Sequence, residues 1–591
     1  MILQNIFKYN FIKIKKYIFY KKYKNKAIKH KQLFVLFEKN NNAFEIFLNT
    51  LKNKNFIPKL NFDIDKSIKI ANEATQNRFY ILNKKLSFDK NINWSNPDWS
   101  QDFSNFKYSF YQDIKLKTYT NNNINNLGPD IKIPWEFSRL YHIVDLAIAH
   151  KKTNDKKYLN IFVSHTKSWI ESNPFLLGVN WLNPMEVAIR AINLIYAFNY
   201  FKNENISNNF WLKLINSLYQ HKIYIQNNWE IFYKNNNHYI ADLVGYFYLL
   251  IFFDLKRAQN KIFKKILKEF ETQIMPDGTC YEGSTSYHKL TIELFLLFYY
   301  LCKKNNLSLP NKFKTKLNKS INFITYCTDF NNNFVQIGDN DSGKILHSFD
   351  FSQNKKNTNK LISHYKNFGL TIIKNNKIHI TYRHPTYKKI QPTGHFHNDS
   401  LSITLSYNNI PIIIDPGTYV YTSNKFYRNK LRSFNNHNTF FIKDSTSEQD
   451  IFKLNKQVHK DNTAIIKRYK NKILINNYYI NDHIKLFRTL IFNKINNNLL
   501  IKDFVKNSTN KIFHWNFIFH PNIKIKKLNK NKFELLHENK TIFILKSNLY
   551  FSIQDAFYSQ EYGVLEKCTK LKTLKKIKNQ KIIIKLYAAK T

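Results

Sequence analysis

The chain has 591 residues, which is more than a single hydrophobic core usually serves, so several domains are expected. It carries 92 Lys and Arg against 41 Asp and Glu, a formal charge of +51 that would suit a nucleic-acid or polyanion binder. The abundance of Lys, Asn, Ile, Phe and Tyr beside only 11 Gly and 13 Pro is typical of A/T-rich coding. Because no nucleic-acid motif accompanies the charge, we expect no nucleic-acid partner, whereas a polyanionic substrate remains compatible with it.

Two further classes are excluded by the cysteines and by the length of the apolar runs. The cysteines form no close-spaced pair, which argues against a disulfide framework or a thiolate metal site, so any metal would be bound by His and carboxylate; they are Cys280, Cys302, Cys327 and Cys568. No apolar run reaches the ~18 residues of a membrane span. Lysines interrupt the apolar runs of residues 1–31, so no signal peptide is readable, and this predicts a cytoplasmic protein.

The first half of the chain has a helical pattern. After a basic segment at 1–34, apolar residues recur every three or four positions between 35 and 347, which predicts a helical array or toroid. One helix opens at Pro184, with Asn183 as its cap. The clearest helices, this one included, are predicted at Phe137 to Ala149, Pro184 to Ile195, Tyr239 to Leu255 and Ser286 to Leu301.

The second half alternates with the period of β-strands. A candidate linker runs from Ser348 to Thr358, and residues 359–591 are predicted to form an antiparallel β domain. Strands are predicted at 370–373, 377–382, 401–407, 410–415, 472–475, 499–504 and 581–586. The strands at 401–407 and 410–415 form a hairpin around Asn408-Asn409.

A histidine pair lies just before this hairpin, in the stretch Gly394-His395-Phe396-His397-Asn398-Asp399. On an extended backbone, His395 and His397 share a face, and Asp415 returns beside them on the partner strand. His437 follows soon after. This grouping suits a metal site, an acid/base site or both, while ordinary structural hydrogen bonding is the alternative for each histidine.

Several motifs in the helical half retain Gly, Trp and Glu against the Lys/Asn background. They are Trp135-Glu136-Phe137-Ser138-Arg139, the segment from Gly178 to Arg190, Asn236-Asn237-His238-Tyr239, the segment from Asp277 to His288, and Ile337-Gly338-Asp339-Asn340-Asp341-Ser342-Gly343. With the histidine stretch, and in this order, they resemble the heparinase II/III family of polysaccharide lyases. The resemblance implies an α+β multidomain protein, an N-terminal helical (α/α) toroid followed by an antiparallel β-sandwich, with the active site in the cleft between them.

The resemblance also implies a chemistry, the β-elimination of a uronic-acid-containing acidic polysaccharide. The reaction needs a group that neutralises the carboxylate, a base near C5 and an acid for O4. The motif match places Asn237 and His238 at the carboxylate. It makes Tyr287 the catalytic tyrosine, as acid or as phenolate base, and His395 the catalytic histidine, as base or as partner of Tyr287.

Structural alternatives accompany these assignments. Asn237 would be a plain helix cap, Tyr287 one core aromatic among 37 tyrosines, and His238 the partner of a backbone group. Glu186 and Arg190, one helical turn apart, are interpreted as a structural ion pair.

His397, Asp415 and His437 match the zinc ligands of the heparinase II branch, and two imidazoles, a carboxylate and a water would suit a structural Zn²⁺. Candidate substrate-binding residues are Arg428, Arg432 and Glu282, since arginine binds sulfate or carboxylate bidentately; surface arginines are the alternative. Asp339 and Asp341 are expected to fix the loop beneath the cleft rather than to transfer protons.

Two functions are therefore weighed. The leading one is a lyase for a uronate-containing polysaccharide. The alternative is a non-lytic or tailoring protein of surface-polysaccharide biosynthesis, such as capsule or O-antigen, with a repurposed cleft; the missing leader favours it, whereas the family resemblance favours the periplasm or cell envelope.

Overall fold

The computed structural model describes residues 2–30, 33–37, 41–98, 101–116, 127–329, 331–350, 360–384, 395–442, 464–481, 484–506, 511–576 and 581–589. Within these residues a helical region is followed by an antiparallel β region, which confirms the predicted fold class. Gly394 and most of the predicted linker, from 351 to 358, lie outside the described residues.

The helical region contains α1 to α13 and one small hairpin. The elements are α1 (Ile2–His30), α2 (Asn41–Asn53), α3 (Ile64–Ala74), β1 (Arg78–Ile81), β2 (Lys84–Ser87), α4 (Gln101–Ser104), α5 (Lys132–Phe137), α6 (Tyr141–Thr153), α7 (Lys156–Ser172), α8 (Pro184–Phe201), α9 (Asn208–Asn227), α10 (Asn237–Phe252), α11 (Lys256–Gln273), α12 (Thr285–Lys304) and α13 (Asn311–Tyr326).

Inner and outer helices alternate along this region. Helices α6, α8, α10 and α12 are buried around most of their circumference, and each packs on the next. Helices α7, α9, α11 and α13 bury one face and expose the other, as amphipathic outer helices do. A single apolar core joins the two rings, so the region is an (α/α) toroid.

Local sequence explains where several of these helices begin and end. Asn183 caps α8 by accepting a hydrogen bond from the backbone N–H of Met185, with Pro184 in the first turn, as predicted. The helix predicted from Phe137 to Ala149 is divided into α5 and α6, because Leu140 adopts a left-handed conformation with φ of 59°. The basic N-terminal segment, for which no secondary structure was predicted, forms α1 over most of its length.

The β region forms two antiparallel sheets. The elements are β3 (Ile362–Tyr365), β4 (Leu370–Lys374), β5 (Ile378–Arg383), β6 (Ile403–Tyr407), β7 (Ile410–Ile413), α14 (Lys425–Arg432), β8 (Phe440–Ile442), β9 (Ile465–Arg468), β10 (Lys472–Asn481), β11 (Ile484–Asn493), β12 (Leu499–Lys506), β13 (Ile512–Phe519), β14 (Ile523–Asn529), β15 (Lys532–His537), β16 (Lys540–Ser547), β17 (Ser552–Tyr558), β18 (Glu566–Lys576) and β19 (Lys581–Ala588).

One sheet has the strand order β14-β15-β16-β19-β12-β11-β10-β9, and the other β17-β18-β13-β7-β6-β5-β4-β3, with β8 paired to β13. A shared apolar core lies between them, which makes the region a β-sandwich. The predicted hairpin is β6–β7, and Asn408 and Asn409 both have positive φ, as a two-residue turn of type I′ requires.

The two regions meet along a hydrogen-bonded seam. The backbone N–H of Asp339 donates to the carbonyl of His395 at 3.0 Å, and that of Asn340 donates to Thr418 Oγ1 at 2.7 Å. The Tyr562 hydroxyl donates to Asp130 at 2.6 Å. These contacts bring loops that carry the sequence motifs together at the seam. Among the described residues, we find no helix with the length and apolarity that a bilayer crossing demands.

Candidate active site

Asn237 is the first residue of α10 and lies buried at the N-terminus of this helix. The helix cap is the preceding residue, Asn236, whose side chain accepts from the backbone N–H of His238. The interpretation of Asn237 as the cap is therefore wrong. Asn237 is fully buried, and it donates from its backbone N–H and its amide Nδ2 to the two oxygens of Glu282, at 3.0 and 2.8 Å. Asn237 and Glu282 thus form one buried unit.

The N-terminus of α12 holds Tyr287 against the β region. Ser284 caps this helix by accepting from the backbone N–H of Tyr287. The Tyr287 ring stacks on that of His395, with centroids 3.6 Å apart and planes inclined by 22°. Its hydroxyl lies 3.1 Å from Asp341 Oδ2 and 2.9 Å from the hydroxyl of Tyr421. Tyr287 is therefore not a plain core aromatic, because its hydroxyl contacts polar groups from two different loops.

His395 is bound by two buried carboxylates. Its Nδ1 lies 3.1 Å from Asp339 Oδ2, and its Nε2 lies 3.4 Å from Glu282 Oε2. The side chain keeps 17% of its surface exposed, whereas Asp339 and Glu282 are fully buried. His395 is thus fixed from behind while part of its ring faces the cleft.

His238 is the most exposed of the four predicted catalytic side chains, at 30%. Its Nδ1 lies 3.1 Å from Glu230 Oε1. Burial acts to lower the pKa of His238, but the charge of Glu230 and its hydrogen bond outweigh burial and raise the pKa to about 9. His238 is therefore an imidazolium at neutral pH, which can meet a substrate carboxylate.

The two predicted substrate-binding arginines lie on α14, and the structure turns both inward. Arg428 Nη2 lies 2.9 Å from Asp339 Oδ2, and its guanidinium carbon is 3.9 Å from the centre of the Tyr421 ring. Arg432 is 2% exposed and donates to the carbonyl of Phe396. Neither is a plain surface arginine. Burial acts to raise the pKa of Asp339, but Arg428 and Arg432 outweigh it and hold that pKa well below its usual range.

The predicted metal ligands converge in a second, fully enclosed cluster. One ligand atom from each of His397, Asp415 and His437 lies within 4.8 Å of the others, and all three residues are buried. Asp339 Oδ1 accepts from His397 Nε2 at 3.0 Å, so the hydrogen of this imidazole is on Nε2. His397 Nδ1 and His437 Nε2 are buried and make no hydrogen bond to the described residues, whereas His437 Nδ1 lies 3.2 Å from Asp415 Oδ2.

This donor set fits a metal ion. Uncharged imidazole nitrogens with unused lone pairs and one carboxylate are what Zn²⁺ binds, and a carboxylate on the far nitrogen of a ligand histidine is a common support. Asp339 supplies that support to His397. His395 does not belong to the cluster, so the histidine pair of the sequence serves two adjacent sites rather than one.

The structure corrects one interpretation and enlarges another. Glu186 pairs with Arg139 rather than with Arg190, with its Oε1 2.9 Å from Nη2 of Arg139. Arg190 instead donates from Nε to His221 Nε2 at 2.8 Å and packs on the Trp169 ring. Asp341 does fix its loop, by accepting from the backbone N–H of Gly343, yet Asp341 and Asp339 also contact the catalytic candidates directly.

Three contributors were missed by sequence reasoning altogether. Lys132 pairs with Asp341, Tyr421 bonds Tyr287, and Glu230 bonds His238. For Asp339 and Asp341, the cluster Gly338-Asp339-Asn340-Asp341 was the sequence signal that could have indicated their contacts with the catalytic candidates. Lys132 and Tyr421 carry none, because Lys and Tyr are among the commonest residues of this chain.

Comparisons with known proteins agree with this architecture. A family model described as Heparinase II/III N-terminus matches residues 22–368, and one described as Heparinase II/III-like, C-terminal, matches residues 357–586. The heparin-sulfate lyase of Pedobacter heparinus is 25% identical over 189 residues, which are 30% of this chain and 28% of that protein. The heparin-sulfate lyase of Bacteroides thetaiotaomicron is 27% identical over 277 residues, 42% of this chain and 38% of that protein.

A crystal structure of heparinase III has a TM-score of 0.69 to this chain at 15% identity, covering 92% of this chain and 89% of that one, a likeness that concerns the fold. The sequence matches span less than two fifths of the curated relatives' length. The fold defines the class of the protein: an (α/α) toroid joined to a β-sandwich, which this chain shares with heparinase III, with Tyr287 and His395 stacked on each other at the seam. Within that class, the chain belongs to the heparinase II/III family.

Proposed function

We propose that this protein cleaves a uronic-acid-containing acidic polysaccharide by β-elimination, leaving a 4,5-unsaturated uronate at the new end. The observation that carries the proposal is the stack of Tyr287 on His395 at 3.6 Å, since it puts a phenol and an imidazole side by side at the seam. The heparin-sulfate lyases that resemble this chain, together with its charge of +51, support an anionic glycan as the substrate.

The carboxylate of the uronate must be neutralised before its C5 proton can leave. His238 is suited to this role, because Glu230 keeps it positively charged and nearly a third of its side chain faces the cleft. Asn237 lies one residue before it, with its amide Nδ2 on Glu282 and its buried Oδ1 without a partner among the described residues. In this proposal the Asn237–Glu282 unit lies beside the uronate carboxylate, and the amide Nδ2 of Asn237 donates to that carboxylate when substrate binds.

His395 and Tyr287 supply the proton-transferring groups. The C5 proton passes to the base, the electron pair of the C–H bond forms the C4–C5 double bond, and the C4–O4 bond breaks with transfer of a proton to O4. Asp339 orients His395 through Nδ1, which leaves Nε2, 3.4 Å from Glu282 Oε2, as the nitrogen for proton transfer. Arg428 lies above Tyr421 beside these groups and adds positive charge at the wall of the cleft.

A Zn²⁺ held by His397, Asp415 and His437 would brace this wall. When bound it supplies a structural cross-link between the histidine stretch, the end of β7 and the segment after α14. His397 and His395 share Asp339, so the cluster acts on the reaction only through the position of His395.

The test is the ultraviolet absorbance of a 4,5-unsaturated uronate. Purified protein is incubated with heparan sulfate, heparin, chondroitin, hyaluronan, alginate and polyglucuronate, beside Tyr287→Phe and His395→Ala variants. We expect a signal on at least one substrate, and a loss of about 10²- to 10⁴-fold in both variants. Silence across the panel, from folded and zinc-supplemented protein, would contradict the proposal and favour the non-lytic role.

A further inference from the structure

The hydroxyl of Tyr287 contacts a buried ion pair for which the family resemblance implies no role. Asp341 Oδ2 lies 3.1 Å from the Tyr287 hydroxyl and also 3.0 Å from Lys132 Nζ. Its other oxygen accepts from the backbone N–H of Gly343 at 3.0 Å. The side chains of Lys132 and Asp341 are only 12% and 8% exposed. One carboxylate oxygen is therefore shared by an ammonium and the phenol.

The charge state of this pair is well defined. Burial acts to raise the pKa of Asp341, but the ammonium of Lys132 and the Gly343 N–H outweigh burial and lower it to about 2. Burial likewise acts to lower the pKa of Lys132, and Asp341 with Glu136 outweighs it and raises the pKa. At neutral pH the pair is a carboxylate and an ammonium, and the carboxylate can only accept hydrogen bonds.

The charge of Asp341 sets the direction of both hydrogen bonds at the Tyr287 hydroxyl. Tyr287 must donate its only hydrogen to Asp341, since a carboxylate has none to give. Its contact with Tyr421 at 2.9 Å must then have Tyr421 as the donor. Burial and the negative charge of Asp341 raise the pKa of Tyr287 well above its usual value. Tyr287 thus rests as a phenol with a fixed orientation.

We infer that Lys132 and Asp341 are positioning residues that hold Tyr287 as a proton-carrying phenol and fix the orientation of its hydroxyl in the resting site. The inference rests on the proposed elimination and adds two residues to the groups that act on Tyr287. Lys132 is needed because Asp341 alone would hold the phenol's hydrogen too strongly to release it.

The protons balance when the phenol of Tyr287 acts as the acid. The base removes one proton from C5, and Tyr287 gives one to O4 as the C4–O4 bond breaks. The phenolate that forms beside Asp341 accepts a hydrogen bond from Tyr421. It regains a proton from the protonated base, directly or through water, and the site returns to its starting state.

The kinetic test compares Asp341→Asn, Lys132→Met and Lys132→Arg with the wild-type protein. We expect kcat of Asp341→Asn to fall about 10²-fold with KM changed less than about twofold, because the pair acts through Tyr287 and not on bound substrate. We expect Lys132→Met to lose about tenfold and Lys132→Arg to retain most of kcat, since arginine restores the cation. Asp98→Asn is the matched control, because Asp98 pairs with Lys84 on β2 at 2.9 Å, away from Tyr287.

A second arm does not depend on turnover. We place 3-fluorotyrosine at position 287 and follow its fluorine resonance with pH, since the shift reports whether the ring is phenol or phenolate. We expect its pKa to fall in Asp341→Asn, which removes the negative charge, and to rise in Lys132→Met, which uncovers that charge. Opposite shifts would not arise from a general loosening of the fold.

The outcomes distinguish the proposed lyase function from the positioning role of Lys132 and Asp341. Wild-type turnover with kcat of Asp341→Asn within about twofold of it would overturn the inference and leave the proposed function standing. A lack of turnover by the wild-type protein would count against the proposed function, while the fluorine titration would still decide whether the pair controls Tyr287. Equal shifts, or shifts of the same sign in both variants, would overturn the inference. If Asp341→Asn fails to fold, the kinetic comparison and the fluorine titration are made with the two Lys132 variants.

Discussion

His395 and His397 are bound by opposite oxygens of one buried carboxylate. Asp339 Oδ2 lies 3.1 Å from His395 Nδ1, and Asp339 Oδ1 lies 3.0 Å from His397 Nε2. One residue therefore joins the proposed base to the candidate metal cluster. Any change at Asp339 should affect the orientation of both rings at once.

Replacing Asp339 with Asn tests this relationship. An amide has one acceptor oxygen, so it cannot serve both histidines, and Arg428 and Arg432 lose the charge that they face. We expect kcat to fall about 10²-fold and the free energy of unfolding to fall by about 3–5 kcal/mol. Enzyme kinetics and urea denaturation measure the two effects.

The matched control for Asp339→Asn is Asp503→Asn. Asp503 forms a fully buried bidentate pair with Arg488 in the sandwich core, at 2.8 Å on both sides. We expect a comparable loss of stability with an unchanged kcat for the folded protein. A wild-type kcat in Asp339→Asn would show that His395 does not need this carboxylate.

The pH dependence of stability should carry the signature of His238. Its pKa of about 9 in the folded protein exceeds the unfolded value of about 6.5. The proton is therefore bound more tightly in the folded state, and its contribution is complete below about pH 6.5 and lost as the pH rises through about 9. We expect Glu230→Gln to narrow the pH range over which the His238 proton stabilises the fold, because the main charge that raises the pKa of His238 is removed. The measurement is the free energy of unfolding across this pH range, with His238→Asn as the control that lacks the imidazole. Equal pH profiles for wild type and Glu230→Gln would contradict the assignment.

The metal cluster predicts a stoichiometric zinc site. We expect about one Zn²⁺ per chain after equilibration and dialysis, and a fall in melting temperature on chelation, because the ion binds the folded state only. His437→Ala should lose both effects, since it removes a ligand. His514→Ala, a buried histidine on β13 that is not one of the cluster residues, should keep them. Metal analysis and thermal unfolding suffice, and equal zinc content in the wild type and His437→Ala would refute the site.

The closest approach of two inner helices gives a prediction about the fold. A Cβ added at Gly245 of α10 would lie 2.6 Å from the Cβ of Ala188 on α8 and 2.7 Å from its carbonyl oxygen. We expect Gly245→Ala to destabilise the toroid by about 1–3 kcal/mol, because overpacking must separate the helices. Adding Ala188→Gly should recover part of the loss, since the carbonyl contact remains. Urea denaturation of the single and double variants measures this; no recovery would mean that the strain lies elsewhere.

Much of the fold could be predicted because it depends on neighbours in the sequence. The period of apolar residues separated the helical half from the β half, and the pair Asn408-Asn409 placed the β6–β7 turn. The cap Asn183 was likewise readable from its position before Pro184. Propensity, capping and turn chemistry act over a few residues, so they leave their mark in the order of the amino acids.

The candidate site was only partly predictable. The motif match nominated Tyr287 and His395, and the structure brings them into contact, while their catalytic roles stay predictions. The motif match gave no reason to choose Lys132 or Tyr421. The one-turn spacing of Glu186 and Arg190 predicted the wrong partner for Glu186, which pairs with Arg139.

Sequence by itself determined the two regions, their main turns and caps, and the side chains able to do acid–base chemistry. Only the tertiary structure decided which of them meet. Tyr287 bonds Asp341 from 54 residues away and Tyr421 from 134. The reason is physical: hydrogen bonds and ion pairs depend on distances of about 3 Å, and the packing of the toroid against the sandwich sets those distances.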